Sequence, residues 1–403
     1  MAGVLVFEIG TGMTLPLVIV FLHDQRGISL GAAGVALAAV GAGGLVATVA
    51  AGLTSDRFGA GWTAVGGLVL AGAATAGYLL VHSTWAAIAV SALQGAGFAA
   101  TWVGVFPLLV EAVPVERRGD ALGVNYGVTN LGLGIGSTVA GLMLAADASA
   151  FAPLFIVDAV TYLLFAATLI GTGEVRIRPH QDADGGSGYL PVLRDRRLLA
   201  ATAIMVVFVV AGYSQFTAAF PVWATSDVGA PSSLVGFAFA ANTWAIAIAQ
   251  LPALSLVRGR RRTRAVAAAG LTFAASWLVA LAAGAVSSQT AAEAALVAAA
   301  AVFGLGETVL SPSLPAIVQD IADDATRGRY VAVFNVAWQV GPMIGPAIAG
   351  AALAAGHGAG LLVGLAVTCA LTAPAAVAFE RILPLAANVG RGRAYPAKVE
   401  NVQ

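Results

Sequence analysis

The segment Gly52-Leu53-Thr54-Ser55-Asp56-Arg57-Phe58-Gly59 is a short charged stretch between two long apolar runs, 28–51 and 62–81. Neither run contains Asp, Glu, Lys or Arg, and each is long enough to cross a bilayer as a helix of about 20 residues. Because glycine tolerates positive φ and close backbone approach, the segment is predicted to be a tight turn between two membrane helices. Asp56 and Arg57 would then lie where the chain leaves the lipid.

The composition indicates an integral membrane protein. Hydrophobic residues make up 59% of the 403 residues and charged residues 10%, whereas soluble domains contain about 25% charged residues. The mean hydropathy is +0.89. A net charge of zero argues against nucleic acid as a partner.

The sequence predicts neither a cofactor nor an enzymatic activity. The single cysteine, Cys369, cannot form an intramolecular disulfide and disfavours a cysteine-based metal site, and the four histidines are widely separated in loops. No Walker-type phosphate loop is present, so direct use of ATP is not expected. We also find no convincing pairing of a nucleophile with a base.

Twelve apolar runs predict an all-α protein with 12 transmembrane helices. The runs are 2–22, 28–51, 62–81, 85–110, 121–146, 151–173, 198–223, 232–257, 265–286, 291–317, 330–355 and 358–379. The first run lacks the basic residues and the cleavage site of a signal peptide, so we expect it to be a retained helix. Of the 20 Lys and Arg residues, only Arg26 falls in an odd-numbered loop. By the positive-inside rule, the even-numbered loops and both termini are therefore expected to be cytoplasmic.

The chain is predicted to consist of two six-helix halves. We place them at 1–173 and 198–380, joined by a cytoplasmic linker, 174–197, and followed by a cytoplasmic tail, 381–403. The middle of the linker has the Gly- and Ser-rich composition of a flexible connection, and residues 189–197 are predicted to form a short helix on the membrane surface. Small-residue motifs recur in the second half at a constant separation of 209 residues, as between Gly132 and Gly341.

The charged segment 52–59 has the pattern G-x-x-x-D-R-x-G, which resembles the signature loop between helices 2 and 3 of the major facilitator superfamily. The resemblance implies two parallel six-helix halves with a substrate site between them near the midplane of the membrane. It also implies a gating role for Gly52, Asp56, Arg57 and Gly59, since the Asp and Arg of that family hold neighbouring helices together in one state of the transport cycle. The alternative is a plain turn that only sets the topology. Two basic residues usually follow the motif in the family, and here Ala60 and Gly61 take their places.

Span 4 contains Gln94-Gly95-Ala96-Gly97, similar to the R-x-x-Q-G-x-G-A-A motif of the same family, with Ser91 at the arginine position. In proton-coupled members of that family the arginine tunes the pKa of a nearby carboxylate, and Ser91 cannot supply this positive charge. The glycines are equally explained as close-packing positions.

Spans 5 and 11 each carry a motif that resembles the antiporter motif G-x-x-x-G-P-x-x-G-G. In span 5, Gly132 and Gly136 are followed by Ser137 where the family has proline, whereas span 11 keeps the proline after its two glycines. The residues of the second copy are Gly341, Gly345 and Pro346. Small residues four apart are predicted to let both spans slide or seal against the opposite half, and the resemblance favours export.

Three carboxylates fall inside the predicted spans: Glu8, Asp158 and Glu307. A charge at the bilayer centre costs about 3 kcal/mol on insertion scales, so each is a functional candidate. The family fold lines its cavity with spans 1, 4, 7 and 10, which makes Glu307 and Glu8 the predicted proton-coupling residues. Asp158 lies in a peripheral span, and we expect it to bond a neighbour such as Thr161 or Tyr162.

The predicted substrate cavity has an apolar and aromatic wall with scattered amides. The candidates are Gln94, Trp102, Tyr213, Gln215, Phe216, Asn242, Trp244, Asn335, Trp338 and Gln339. Because no Lys or Arg lies inside a span, anionic substrates are disfavoured, and amphipathic neutral or cationic compounds fit better. Alternatively, the aromatic side chains fill helix–helix and lipid interfaces.

These features predict a monomeric proton-coupled exporter of the bacterial inner (plasma) membrane, most like the drug:proton antiporters and working by alternating access. Two alternatives stay open. The chain could import or equilibrate a small neutral metabolite, or it could be a membrane receptor or scaffold without transport.

Overall fold

The structure is a computed structural model that describes residues 1–114, 117–173, 190–257, 259–323 and 326–389. Within these residues, 12 helices are long and apolar enough to cross a membrane, and no strand is present. We number the helices in chain order: α1 Ala2–Gln25, α2 Leu30–Phe58, α3 Ala60–Leu80, α4 Thr84–Glu111, α5 Arg118–Ala146, α6 Phe151–Gly171, α7 Arg196–Asp227, α8 Ser232–Val257, α9 Arg262–Ala283, α10 Gln289–Ile321, α11 Arg327–Ala354 and α12 Gly358–Ile382. A short helix, α13, follows at Leu385–Val389. Each of the 12 predicted spans coincides with one of these helices, which confirms the predicted fold class.

Helix α2 corrects the expected position of the first turn. The helix continues through the charged segment to Phe58, and only Gly59 interrupts it before α3 starts at Ala60. Gly59 has a φ of 93°, a conformation that side chains other than glycine rarely adopt. Asp56 and Arg57 therefore lie in the last helical turn of α2 and not in a loop. Gly52 is helical, and a Cβ added there would have no atom within 4 Å.

Helix α1 is broken near its middle. Its α-helical part, Ala2–Thr14, is followed by a 3₁₀ turn, Leu15–Leu17, which contains Pro16. Proline has no N–H, so the carbonyl of Gly12, four residues earlier, receives no helical hydrogen bond from position 16. The Ser137 hydroxyl of α5 donates to this Gly12 oxygen at 2.9 Å. Ser137, which replaces the proline of the family motif, thus satisfies a carbonyl that a proline in α1 leaves open.

Helix α7 is interrupted by two π-helical segments, Val209–Tyr213 and Trp223–Asp227. Such segments leave a backbone carbonyl free of its usual partner, and they occur often at functional positions. The Trp277 indole N–H of α9 donates to the Ala211 carbonyl at 3.1 Å. This hydrogen bond fixes the first π segment against the rest of the bundle.

The helices pack in two groups. Within the first six, α1 packs on α5 and α6, and α4 packs on α2 and α3. Within the last six, α9 packs on α10 and α12, and α11 packs on α7. The main contacts between the two groups join α2 to α11 and α5 to α8.

Among the described residues, the tight backbone contacts between the two groups lie towards one end of the bundle, which we call the odd-loop end because the loops after α1, α3, α5, α7, α9 and α11 lie there. A Cβ added at Gly34 would lie 2.8 Å from the Gly350 Cα, and one added at Gly236 would lie 2.8 Å from the Gly141 Cα. At the opposite, even-loop end, a Cβ added at Gly127 or at Gly328 would meet no atom within 4 Å. The described helices therefore form a bundle that is closed at the odd-loop end and open at the even-loop end.

The predicted surface helix at 189–197 is corrected where the structure describes it. Residues Val192–Arg194 form a single 3₁₀ turn, and α7 already begins at Arg196. Asp195 ends the connection by accepting a hydrogen bond from the Arg197 backbone N–H at 2.8 Å, so it caps α7. The predicted flexible linker at 174–189 and the tail at 390–403 lie outside the described residues.

Candidate functional site

Glu307 lies on α10 and is held by two neighbouring helices. The Asn242 Nδ2 of α8 donates to the Glu307 Oε1 at 2.9 Å. The two helices approach closely at Gly304, where an added Cβ would overlap the Asn242 carbonyl oxygen. The Tyr213 side chain of α7 lies beside the same carboxylate. The sequence-predicted residues Glu307, Asn242 and Tyr213 are therefore brought together.

The first group of helices also contributes to the surroundings of Glu307. Tyr126 of α5 lies close enough to Glu307 for the two groups to interact electrostatically, and it lies near the Ser311 side chain of α10. The Asn130 side chain, one helical turn further along α5, donates to the Tyr126 carbonyl at 2.9 Å. The Glu307 site is thus located between the two groups, where alternating access places a substrate site.

An aromatic wall adjoins this site. The Tyr213 ring lies 4.9 Å from the Trp338 ring of α11, and Trp338 is 42% exposed. Behind Tyr213, the rings of Phe273 and Phe303 are completely buried, with centroids 5.7 and 5.9 Å away. Trp338 is therefore available to a ligand, while the two phenylalanines belong to the packed interior.

Glu8 forms a second polar site within the first group. Its side chain is only 3% exposed, and its Oε1 accepts a hydrogen bond from the Thr129 hydroxyl of α5 at 3.2 Å. Thr129 and Tyr126 are three residues apart and so lie on neighbouring positions of one helical face. Helix α5 consequently contacts both predicted proton-coupling carboxylates.

Asp158 lies on α6 and is fully buried. The expected partner Thr161 donates to the Asp158 backbone carbonyl at 2.7 Å. The carboxylate itself accepts a hydrogen bond from the Thr14 hydroxyl of α1 at 2.5 Å, a partner that the sequence did not indicate.

The remaining predicted cavity residues occupy different environments. Gln94 accepts a hydrogen bond from the Tyr78 hydroxyl at 3.2 Å, and Trp102 packs on the buried ring of Phe7. Gln215 is completely buried and donates to the Gly345 carbonyl at 2.9 Å, so it joins α7 to α11.

Two polar side chains of α11 complete the predicted set. Asn335 is exposed. The Gln339 Oε1 lies 3.4 Å from the position of a Cβ added at Gly44 of α2, so Gln339 is close to the contact between the two groups.

The glycines of the two repeated motifs pack differently from the prediction. An added Cβ at Gly132 would lie 2.6 Å from the Glu8 Cβ, and one at Gly136 would overlap the Ile9 carbonyl oxygen. Both glycines thus seal α5 against α1 of the same group, because Cβ atoms there would collide with that helix. Gly341 and Gly345 pack in the same way on Val209 and Ser214 of α7.

Other small residues of the same helices form the contact between the groups. Gly141 faces Phe237 of α8. The Pro346 carbonyl lies against Gly34 of α2, so Pro346 is the one residue of the predicted gating set in α11 that takes part in this contact.

Asp56 and Arg57 are both exposed at the even-loop end. Among the described residues, Asp56 has no ion-pair partner within 4.0 Å, and the Arg57 guanidinium instead lies 5.2 Å from the centre of the Phe58 ring. The predicted gating pair is therefore disengaged in this conformation.

Sequence reasoning missed Tyr126, Thr129 and Thr14 as members of these polar sites. A signal for the first two was present, because Tyr126, Thr129 and Asn130 are polar residues at helical spacing within an apolar run. A similar pattern marks Thr14, since Glu8, Thr11 and Thr14 are polar residues three apart within the first apolar run. Among the described residues, no cluster of three or more His, Cys, Asp or Glu side chains is arranged to hold a metal ion.

Comparison with protein families gives a match over most of the chain. The sequence model of the Major Facilitator Superfamily matches residues 1–225 and 202–400. The uncharacterized MFS-type transporter YqjV of Bacillus subtilis (strain 168) is 26% identical over 270 residues, which is 62% of this chain and 62% of that protein.

Solved structures of transporters share the fold. A peptide transporter POT, in a mutant form in complex with sulfate, has a TM-score of 0.74 at 15% identity and covers 94% of this chain and 93% of its own. A bacterial homologue of the human drug peptide transporters PepT1 and PepT2 has a TM-score of 0.70 at 16% identity, covering 94% and 96%. The nucleoside transporter NupG has a TM-score of 0.70 at 12% identity, covering 94% and 98%.

Proposed function

Because the chain belongs to the major facilitator superfamily and is a membrane transporter, we propose that it couples the export of small amphipathic neutral or cationic compounds to the entry of protons. One observation carries this proposal. Glu307 lies between the two groups of helices, bonded by Asn242 and beside Tyr213, with no basic side chain bonded to it among the described residues.

The orientation of the chain follows from its charges. With the even-loop end in the cytoplasm, 19 of the 20 Lys and Arg residues lie on the cytoplasmic side. The conformation described above is then the inward-open state. In this state a compound in the cytoplasm, or in the inner leaflet, reaches the site at Glu307.

Proton coupling requires a carboxylate that is charged in one state and neutral in the other. Burial among apolar helices disfavours the charged form, and no basic side chain compensates for the charge of Glu307 in this site. A cationic substrate and a proton would therefore neutralise the same carboxylate and exclude each other. Such competition is the simplest basis for exchange, because binding of either ligand shifts the population of states that the other can use.

The surroundings of Glu307 support the substrate class. The half-exposed Trp338 and the Tyr213 ring offer aromatic faces, which attract organic cations and apolar rings. Asn242 and Tyr126 add neutral hydrogen-bonding groups. The same wall also fits neutral compounds. Their transport would depend on Glu307 only because Glu307 carries the proton that is exchanged.

The test begins with accumulation assays in an efflux-deficient bacterial host that expresses the chain. A panel of lipophilic cations and neutral compounds is measured, and the compound whose accumulation falls most serves as the probe. Uptake of this probe into everted vesicles is then driven by an imposed pH gradient. We expect Glu307→Gln to abolish uphill uptake while the probe still binds, because glutamine keeps the hydrogen bond from Asn242 but cannot release a proton.

Glu293→Gln is the matched control, since Glu293 is a partly exposed glutamate near the start of the same helix, where it bonds the Gln289 side chain. We expect this variant to transport at the wild-type rate. Full gradient-driven uptake by Glu307→Gln would remove Glu307 from the mechanism, and normal uptake by Glu8→Gln as well would refute proton antiport. Increased accumulation of the panel in expressing cells would instead indicate an importer.

A further inference from the structure

The carboxylate of Asp158 has one oxygen with a partner and one without. Its Oδ2 accepts the hydrogen bond from the Thr14 hydroxyl at 2.5 Å. Its Oδ1 makes no hydrogen bond with any described residue. Water cannot replace the missing partner at the surface, because the side chain as a whole is 0% exposed. An unpartnered carboxylate oxygen in an apolar bundle costs several kcal/mol, so such an oxygen indicates a missing ligand.

A second oxygen, the Thr161 Oγ1, lies beside the same residue of α1. A Cβ added at Gly10 of α1 would lie 2.7 Å from the Asp158 Oδ1 and would overlap the Thr161 Oγ1, so both oxygens adjoin Gly10. The Thr161 hydroxyl proton is already donated to the Asp158 backbone carbonyl at 2.7 Å. Two hydrogen-bond acceptors therefore lie near the same residue of α1, and a positively charged ligand bound to both would stabilise this arrangement.

No basic residue supplies this positive charge. In the first 173 residues, the Arg and His residues all lie at helix ends or in loops: His23, Arg26, Arg57, His82, Arg117 and Arg118. The one that reaches furthest inward, Arg26, bonds the Leu79 carbonyl and lies against the Phe21 ring.

The other titratable groups near Asp158 are acidic or phenolic. They are Glu8 of α1, which is close enough to repel Asp158, and Tyr162 of α6 itself. Neither of these groups can balance the charge of an ionised Asp158 at neutral pH.

We propose that Asp158 is a binding site for one monovalent cation, a proton or Na⁺, held between its Oδ1 and the Thr161 hydroxyl. A divalent ion is disfavoured, because Ca²⁺ and Mg²⁺ sites use more charged oxygen ligands than the single carboxylate present here. The bound cation sits directly beside α1, four residues before the break at Thr14, whose hydroxyl bonds the other carboxylate oxygen. Occupancy of the site therefore controls how α6 is attached to the break in α1.

The site is separate from the coupling proposed for Glu307, and its test measures cation binding and not transport. The purified full-length protein in lipid nanodiscs is unfolded by heat in two series. One series runs from pH 6 to pH 9 in choline chloride, and the other exchanges choline for Na⁺ at pH 9 and constant ionic strength. A ligand that binds only the folded state stabilises it in proportion to the logarithm of its concentration.

If the ligand is a proton, the melting temperature of the wild-type protein should fall as the pH rises. If the ligand is Na⁺, the melting temperature at pH 9 should rise with the Na⁺ concentration. The expected change is about 2 °C for each tenfold change in cation concentration. In a background that carries Glu8→Gln and Glu307→Gln, Asp158→Asn should lose this dependence, because the amide is neutral without a bound cation. Infrared spectra give a second readout for the proton, since the carbonyl band of a protonated carboxylic acid that remains in this background should disappear when Asp158→Asn is added.

Two further variants keep the test decisive. Thr161→Val leaves the carboxylate in place and removes the second oxygen of the site. It should weaken the affinity for the cation about tenfold, which corresponds to the loss of one hydrogen bond to a charged group. Asp147→Asn removes a fully exposed carboxylate in the loop after α5 and should behave as the wild type. The proposal is overturned if Asp158→Asn leaves the pH and Na⁺ dependence of the Glu8→Gln, Glu307→Gln background unchanged, or if Thr161→Val leaves the dependence unchanged.

Discussion

At the scale of single residues, glycine positions determine how closely the helices approach. Gly127 and Gly136 lie on the same helix, α5, and contain the same single hydrogen as a side chain. A Cβ at Gly136 would overlap the Ile9 carbonyl oxygen, whereas a Cβ at Gly127 would have free space. The same substitution therefore has opposite consequences at the two positions.

We expect Gly136→Ala to destabilise the protein by about 1–3 kcal/mol, because its Cβ would overlap the backbone of α1, which cannot rotate away as a side chain can. Gly127→Ala should be neutral or stabilising by up to about 1 kcal/mol, since alanine favours helix more than glycine does. Thermal unfolding of both variants in nanodiscs measures the difference. Equal stability of the two would mean that α1 and α5 do not pack as closely as described.

Some of the site residues could be predicted from their residue types, but several of their contact partners could not. Glu8 and Glu307 were recognisable because carboxylates inside apolar runs are rare, and Gly136 because it recurs at Gly345. The partners Thr129, Tyr126 and Thr14 depend on the rotation of each helix about its axis. A run of 20 or more apolar residues leaves that rotation undetermined, because lipid and protein interior are both apolar.

At the scale of elements, the position of Asp56 at the end of α2 shows how a positively charged partner would stabilise this segment. Carbonyl groups at a helix C-terminus carry partial negative charge, so Asp56 in the last turn is destabilised by about 0.3–1 kcal/mol unless a cation neutralises it. Among the described residues Asp56 has no such partner in this conformation. A conformation that brings a positive group to Asp56 would be favoured by the same amount or more.

Asp56→Asn is therefore expected to favour the conformation described here and to slow transport of the probe compound, while membrane expression stays near the wild-type level. A coupling of about 1–3 kcal/mol changes the population of the two states about 5- to 150-fold. The measurement is the initial transport rate divided by the amount of folded protein in the membrane. Glu293→Gln again provides the control, and a wild-type rate in Asp56→Asn would reduce the segment to a topological signal.

Elements were predicted well where length and polarity decide them. The helices follow from apolar runs that are long enough to cross a bilayer. The predicted position of the first turn is too early, because the polar residues 54–57 suggest that α2 ends before them, although a helix continues readily beyond the membrane surface. Only Gly59, with its positive φ, ends it. The break in α1 and the π segments of α7 depend on packing and had no counterpart in the apolar pattern.

At the scale of the whole molecule, the closed odd-loop end and the open even-loop end can be tested by chemical labelling. Ala148 is exposed in the loop between α5 and α6, and Arg260 is exposed in the loop between α8 and α9. The native Cys369 is completely buried and should react little. We expect a membrane-impermeant maleimide to label Ala148→Cys in intact spheroplasts, and Arg260→Cys only in everted vesicles. Labelling of Arg260→Cys from outside would reverse the proposed orientation and, with it, the inference of an inward-open state.

The start of α9 has a consequence for how the protein is made. The N-cap residue of this helix, Arg261, provides no capping side chain, and the Asn388 Oδ1 of α13 accepts the Thr263 backbone N–H at 3.0 Å instead. Residue 388 is synthesised about 125 residues after the start of α9. The first turn of a helix in the middle of the second group is therefore completed only after that additional length of chain has been made. A truncation before Asn388 should leave that turn open to proteolysis, so an affinity tag for purification belongs after this residue and not in place of it.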